Sequence, residues 1–121
     1  GVSRVHYLGQ LPHATTAKLF GALDLGVIYL RDTPFGRYCF PQKAYEMMAC
    51  GLPLVAAHVG VMPDLLTSVP DSLYDADSAR DLARAVRAQA QALKLADVAI
   101  EDWAQIVGRM NECIMRIAGM D

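Results

Sequence analysis

Short apolar runs alternate along the chain with stretches whose apolar residues recur at helical spacing, and this alternation predicts its elements. Residues 5–8 (VHYL) form a brief β-prone run closed by Gly9. Residues 25–30 (LGVIYL) and 54–57 (LVAA) are apolar on both faces, as strands of a parallel sheet covered by helices on either side are. Residues 71–74 (DSLY) offer one more short strand. Between these runs Thr15 or Thr16 can cap a helix carrying Leu19, Phe20 and Leu23 on one face, with Lys18 outward. Pro41 suits the first position of a helix that runs through Ala44, Met47 and Met48 and stops at Gly51, before Pro53. Residues 62–66 read as a helical turn started at Pro63. Asp77 or Ser78 caps a helix reaching about Leu93, with Leu82, Val86, Ala90 and Leu93 expected on the sheet and Arg80, Arg84 and Arg87 on a solvated opposite side. A last helix, from about Glu101 to Ala118, gathers Trp103, Ile106, Val107, Met110, Ile114 and Ile117 into a stripe expected in the core. Gly108 within it is expected to mark a close crossing with another helix.

Strands alternating with helices predict a parallel α/β sheet, Rossmann-like, of about four strands with helices on both faces. The 121 residues, 54% hydrophobic and 20% charged, describe one domain over 1–121 with enough chain for a real core. Eleven basic against thirteen acidic residues give a net charge of -2, which offers no general attraction for nucleic acid. Cys39, Cys50 and Cys113 form no C-x-x-C pair, so neither a disulfide framework nor a zinc site is expected and a reducing, cytoplasmic compartment fits. No apolar run is long enough to span a bilayer, and the opening GVSRVHYLG has no signal-peptide pattern. A first residue other than Met is read as the mark of a fragment or a processed chain.

The chemistry is expected where strands hand over to loops at the carboxyl edge of the sheet, the edge at which open α/β sheets bind ligands. Residues 31–39 leave the strand at 25–30 there; Pro34, Phe35 and Gly36 are expected to keep the loop non-helical, and Arg31 or Arg37 could reach a phosphate. Lys43 and Glu46 share one face of the next helix, near backbone N–H groups that favour anions. Such a pair could divide a sugar nucleotide, ammonium to phosphate and carboxylate to hydroxyls. Spacing alone favours the plainer reading, a surface ion pair worth about 0.2 to 0.5 kcal/mol. His58 and Gly60 fall on the same edge after the strand at 54–57, Gly60 letting the chain turn close to a ligand; His6 and His13 carry weaker signals.

Residues 40–66, FPQKAYEMMACGLPLVAAHVGVMPDLL, resemble the donor-site signature of the retaining group 1 (family 4) glycosyltransferases of GT-B architecture. The residues that carry the resemblance are Phe35 and Gly36 in a glycine-flanked loop, Glu46 and Ala49 on the helix, Gly51, Pro53, Val55 and Ala56, and then Gly60. Of the family's two glutamates eight positions apart, Glu46 matches the second while the first falls on Tyr38, which can donate to a sugar hydroxyl but supplies no carboxylate. Pro41, Lys43 and Glu46 resemble instead a Pro-x-Lys-x-x-Glu variant branch, and a Gly-Gly pair common in the second loop is Gly60 and Val61 here.

The resemblance implies the donor-binding, C-terminal domain of such an enzyme, in part. A complete one resembles a six-stranded Rossmann fold ordered 3-2-1-4-5-6, and this chain is expected to lack the first two strands together with the segment that usually holds an arginine and a lysine for the donor diphosphate. The strands at 5–8 and 25–30 would then either close up as neighbours or leave a gap for another chain. Glu46 would hold ribose, Lys43 the donor phosphates, Phe35, Gly36 and Tyr38 the sugar end, with Arg31 and Gly60 beside them. No side-chain nucleophile, cofactor or metal is implied, and the chain alone is expected to be inactive. A comparable last helix of the family reaches back to the other domain, so part of the apolar face at 101–118 could be left exposed in a fragment. The implied partners are a nucleotide sugar and an N-terminal domain of the same protein. Peripheral membrane contact through the full-length protein and self-association through an exposed sheet edge stay open. A non-catalytic nucleotide-binding module and a generic α/β interaction domain are the alternatives.

Overall fold

In the computed structural model, which describes residues 4–120, three parallel strands lie side by side in the order of the sequence, with helices on both faces of the sheet. Along the chain the elements are α1 (His13–Phe20), β1 (Gly26–Ile28), α2 (Pro34–Tyr38), α3 (Gln42–Ala49), β2 (Leu54–Ala57), α4 (Met62–Leu65), a 3-10 turn (Pro70–Ser72), β3 (Leu73–Tyr74), α5 (Ala79–Gln91) and α6 (Trp103–Ala118). Val27 stands opposite Val55, and Ala57 opposite Tyr74. The α/β, Rossmann-like reading therefore holds.

β2 is the middle strand, and its continuous apolar run is explained by what covers each side. Leu54 and Ala56 face a cluster with Ile28, Ala44, Met62 and Leu66, while Val55 and Ala57 face Tyr74 and Ala85. Alternate residues of one strand thus feed two cores, and all four are buried. α3 covers the first face, with α1 packed on its outer side; α5 covers the second over β2 and β3. β1 is left half-covered on the α5 side, where Val27 and Tyr29 stay exposed.

Several expectations are corrected. Residues 5–8 form no strand and do not close up beside β1; Val5, Tyr7 and Leu8 are exposed, and a β-prone run outside a ladder gains little from extension. α1 starts ahead of the expected threonine caps, at Pro12, whose carbonyl accepts the Thr15 and Thr16 N–H groups and the Thr16 hydroxyl. The loop at 31–39 contains the short helix α2, since Pro34 sits in its first turn and Thr33 Oγ1 accepts the Gly36 N–H at 3.2 Å. On α5 the expected Leu82 and Val86 pack against the core, with Ala85 and Gln89 buried beside them, while Ala90, and Leu93 beyond the helix end, are exposed. Gln89 is carried inside by polar pairing, donating to Ser72 Oγ at 2.6 Å and accepting the Lys94 N–H at 2.9 Å.

The largest correction concerns α6. Its apolar stripe is not core: the helix has no buried residue, and Trp103 and Ile117 are 79% and 82% exposed. Its ends define it instead. Asp102 and Gln105 form a reciprocal capping box, and Gly119 closes it in a left-handed conformation. Gly108 marks no close crossing, for nothing lies within 4 Å of the position its Cβ would take.

Candidate functional site

The expected site residues fall into two distinct groups, one on α3 facing α1 and one in the loops at the carboxyl ends of β1 and β2. The first is built on α3. Pro41, buried at the helix entry, starts a helix whose buried Ala44 faces the core and turns Lys43 and Glu46 away from it. Lys43 Nζ lies 3.6 Å from Glu46 Oε2, and Gln42 Nε2 donates to Glu46 Oε1 at 3.2 Å. Glu46 is thus half-buried with both oxygens engaged, while Lys43 remains mostly exposed, its ammonium 6.0 Å from the centre of the Phe20 ring.

This face opens on a cleft of about 740 Å³ between α3 and the start of α1. Gln10, His13 and Thr16 line one wall, Lys43, Glu46 and Met47 the other. It is roomy enough for a nucleotide-sized ligand, for which sites of about 300 to 1,000 Å³ are usual. A cation, a carboxylate and hydrogen-bonding side chains meet there beside Leu11, Phe20 and Met47.

The second group is the pair of glycine segments. Gly36 is buried, and a methyl group on it would overlap the Arg31 carbonyl oxygen. Gly60 adopts φ 60°, and its missing Cβ would stand 3.0 Å from the carbonyl oxygens of both Gly36 and Arg37. The two loops after β1 and β2 therefore touch, backbone to backbone, as only glycine allows. Arg31 is exposed beside them. Arg37 is already committed, since its Nε donates to Asp32 Oδ1 at 2.6 Å, which holds the Asp32 carboxyl below and the Arg37 guanidinium above their ordinary values. Phe35 and Tyr38 project into solvent, 80% and 91% exposed. His58 is exposed at the end of β2, its backbone N–H held by the Tyr74 carbonyl at 2.8 Å.

The family described as glycosyl transferases group 1 matches residues 1–92, a stretch that takes in all three strands, both glycine segments and α5. The chain belongs to the group 1 glycosyltransferases. No curated protein and no solved structure matches it. The family match ends just past α5, so the exposed helix α6 lies outside it.

Two further openings lie elsewhere on this glycosyltransferase domain. A cavity of about 70 Å³ beside Ser72 and Gln89 is too small for a nucleotide, and an open cleft of about 420 Å³ at Arg80, Arg84 and Arg87 also holds Asp75 and Asp81. Among the described residues no group of three or more His, Cys, Asp or Glu side chains could hold a metal ion, and no helix is long and apolar enough to cross a membrane.

Gln10, Thr16 and His13 line the cleft and Gln42 holds Glu46, and sequence reasoning singles out none of Gln42, Gln10 and Thr16 for the site. The spacing of Gln42 and Glu46, four residues apart on one helix, was the readable signal for the first. Nothing in the sequence announced that the start of α1 would form the opposite wall of the cleft.

Proposed function

We propose that this glycosyltransferase domain is the donor-binding side of a retaining GT-B enzyme that moves a sugar from a nucleotide sugar to an acceptor. Glu46 accepts hydrogen bonds from the ribose hydroxyls, Lys43 faces the donor phosphates, and Phe35, Gly36 and Tyr38 serve the sugar end with Arg31 and Gly60 alongside. The observation that carries the reading is the meeting of Lys43 and Glu46 in one open cleft between α1 and α3. Lys43 stabilises negative charge as the diphosphate departs, so the chemistry is electrostatic rather than nucleophilic, and no cofactor enters. An N-terminal domain of the same protein supplies the acceptor side, and the chain alone does not turn over.

Calorimetry of the full-length protein with UDP, GDP and ADP tests this. One of them binds, and Glu46→Ala, with its fold intact by circular dichroism, weakens that binding by about ten- to a hundredfold, as loss of hydrogen bonds to a carboxylate should. No heat with any of the three refutes the donor site. A non-catalytic nucleotide-binding module is the second reading, favoured by Tyr38 where the family carries a glutamate. Sugar transfer by the full-length protein that disappears in Glu46→Ala decides for the enzyme.

A further inference from the structure

Two phenols tie the end of β1 to the far side of the sheet, across β2. The buried Tyr74 hydroxyl, on β3, donates to the Ile28 carbonyl at 3.1 Å. The Tyr29 hydroxyl, one residue beyond β1, donates to Asp77 Oδ1 at 2.7 Å. Asp77 sits in the turn before α5 at φ 61°, the one non-glycine residue among those described with a left-handed backbone. Aspartate is among the few side chains that tolerate this conformation, which leaves its carboxylate at the turn to accept from Tyr29. Asp77 raises the Tyr29 phenol above its ordinary value, through the hydrogen bond first, then with desolvation and charge adding and Arg31 opposing.

Just past Tyr29 the chain enters the first glycine segment. The Arg31 carbonyl packs under Gly36, and the carbonyls of Gly36 and Arg37 pack against Gly60. Backbone contact so close leaves no slack: a shift of Tyr29 is passed through Arg31 to both loops. Neither Tyr29 nor Asp77 is buried, so the bond between them adds little to global stability and acts locally.

We infer that the hydrogen bond from Tyr29 to Asp77 is a positioning contact that sets the glycine segments at 31–38 and 58–61 in the geometry that receives the sugar end of the donor. Its consequence for ligand rests on the donor-site reading above; its consequence for loop order does not.

Amide hydrogen exchange and NMR spectra of the ligand-free protein test the loop order. In Tyr29→Phe the Gly36 amide, which donates to Thr33 Oγ1, exchanges on the order of five- to tenfold faster and the Gly36 and Gly60 resonances shift, while the β2 amides keep their rates. Asp77→Gly, which suits the turn but lacks the acceptor, reproduces this; Asp77→Asn, which tolerates the turn and still accepts, keeps the wild-type pattern. Wild-type exchange at Gly36 in Tyr29→Phe or Asp77→Gly overturns the inference, as does an equal acceleration throughout β2. Should Tyr29→Phe fail to fold, the Asp77 pair decides. With whichever of UDP, GDP or ADP binds, Tyr29→Phe leaves affinity for the bare diphosphate unchanged and weakens its hexose conjugate at least fivefold; equal affinities in variant and wild type for the conjugate overturn the role in positioning. No binding by the wild type sinks the donor reading instead and leaves the exchange rates to judge the contact.

Discussion

Gly36 illustrates how much a single absent methyl decides here. The loop after β1 folds back so tightly that any Cβ at this position meets the Arg31 carbonyl oxygen, a backbone atom that cannot rotate out of the way. Gly36→Ala is therefore expected to cost about 1 to 3 kcal/mol through forced backbone shifts, read from the urea midpoint, and to broaden the resonances of Gly60 across the contact. An unchanged midpoint would mean the loop has more room than its packing implies. The pair of Lys43 and Glu46 was legible from spacing, because helical geometry alone puts residues three apart on one face. The demand at Gly36 was not: a glycine in a loop reads as a turn residue, and only the fold reveals that it is a contact surface.

Among the elements, α5 shows where a hydrophobic reading stops working. The apolar runs marked both β1 and β2, but only the middle strand β2 is covered at every position; β1, read as a central strand, is an edge strand that leaves Val27 exposed. On α5 the apolar count pointed to Ala90 and Leu93, yet Gln89 is inside, its amide satisfied by Ser72 and Lys94. A polar side chain whose partners lie 17 residues away and in a following connector leaves no mark in local periodicity. The start of the same helix gives a pH dependence. Ser78 Oγ accepts the Asp81 N–H, and Asp81 in turn accepts from Arg84 and from the Asp75 N–H at 2.8 Å. Arg84 first, and the Asp75 amide second, hold the Asp81 carboxyl below its ordinary value. A carboxyl depressed in the folded state adds stability that is complete above its unfolded value of about 3.9 and is lost as the pH falls through the folded one. Urea melts from about pH 5 to about pH 2 should therefore show falling stability, with a shallower slope in Asp81→Asn. Asp32, lowered in the same direction by Arg37, keeps the slope from vanishing. An identical slope in the variant would show that Asp81 is not linked to folding.

At the scale of the whole molecule, α6 stands apart from the body it follows. Its stripe of Trp103, Val107, Met110, Ile114 and Ile117 is amphipathic enough to predict burial, but periodicity reports only that a face needs cover, not that the same chain supplies it. Ile114→Lys is accordingly expected to change the unfolding free energy by no more than about 0.5 kcal/mol, where a core isoleucine would cost several times that; a loss of 2 kcal/mol or more in urea denaturation would mean the helix packs onto the domain in solution. The sheet, meanwhile, is asymmetric at its margins. Arg84 donates to the carbonyls of Leu73, at 2.6 Å, and of Asp71, at 3.3 Å, just where β3 would otherwise present them to a newcomer. With that flank stoppered by a guanidinium, growth of the ladder is one-way: any strand that joins must enter alongside Gly26, Val27 and Ile28, and would run from there toward the unclad side of Tyr29.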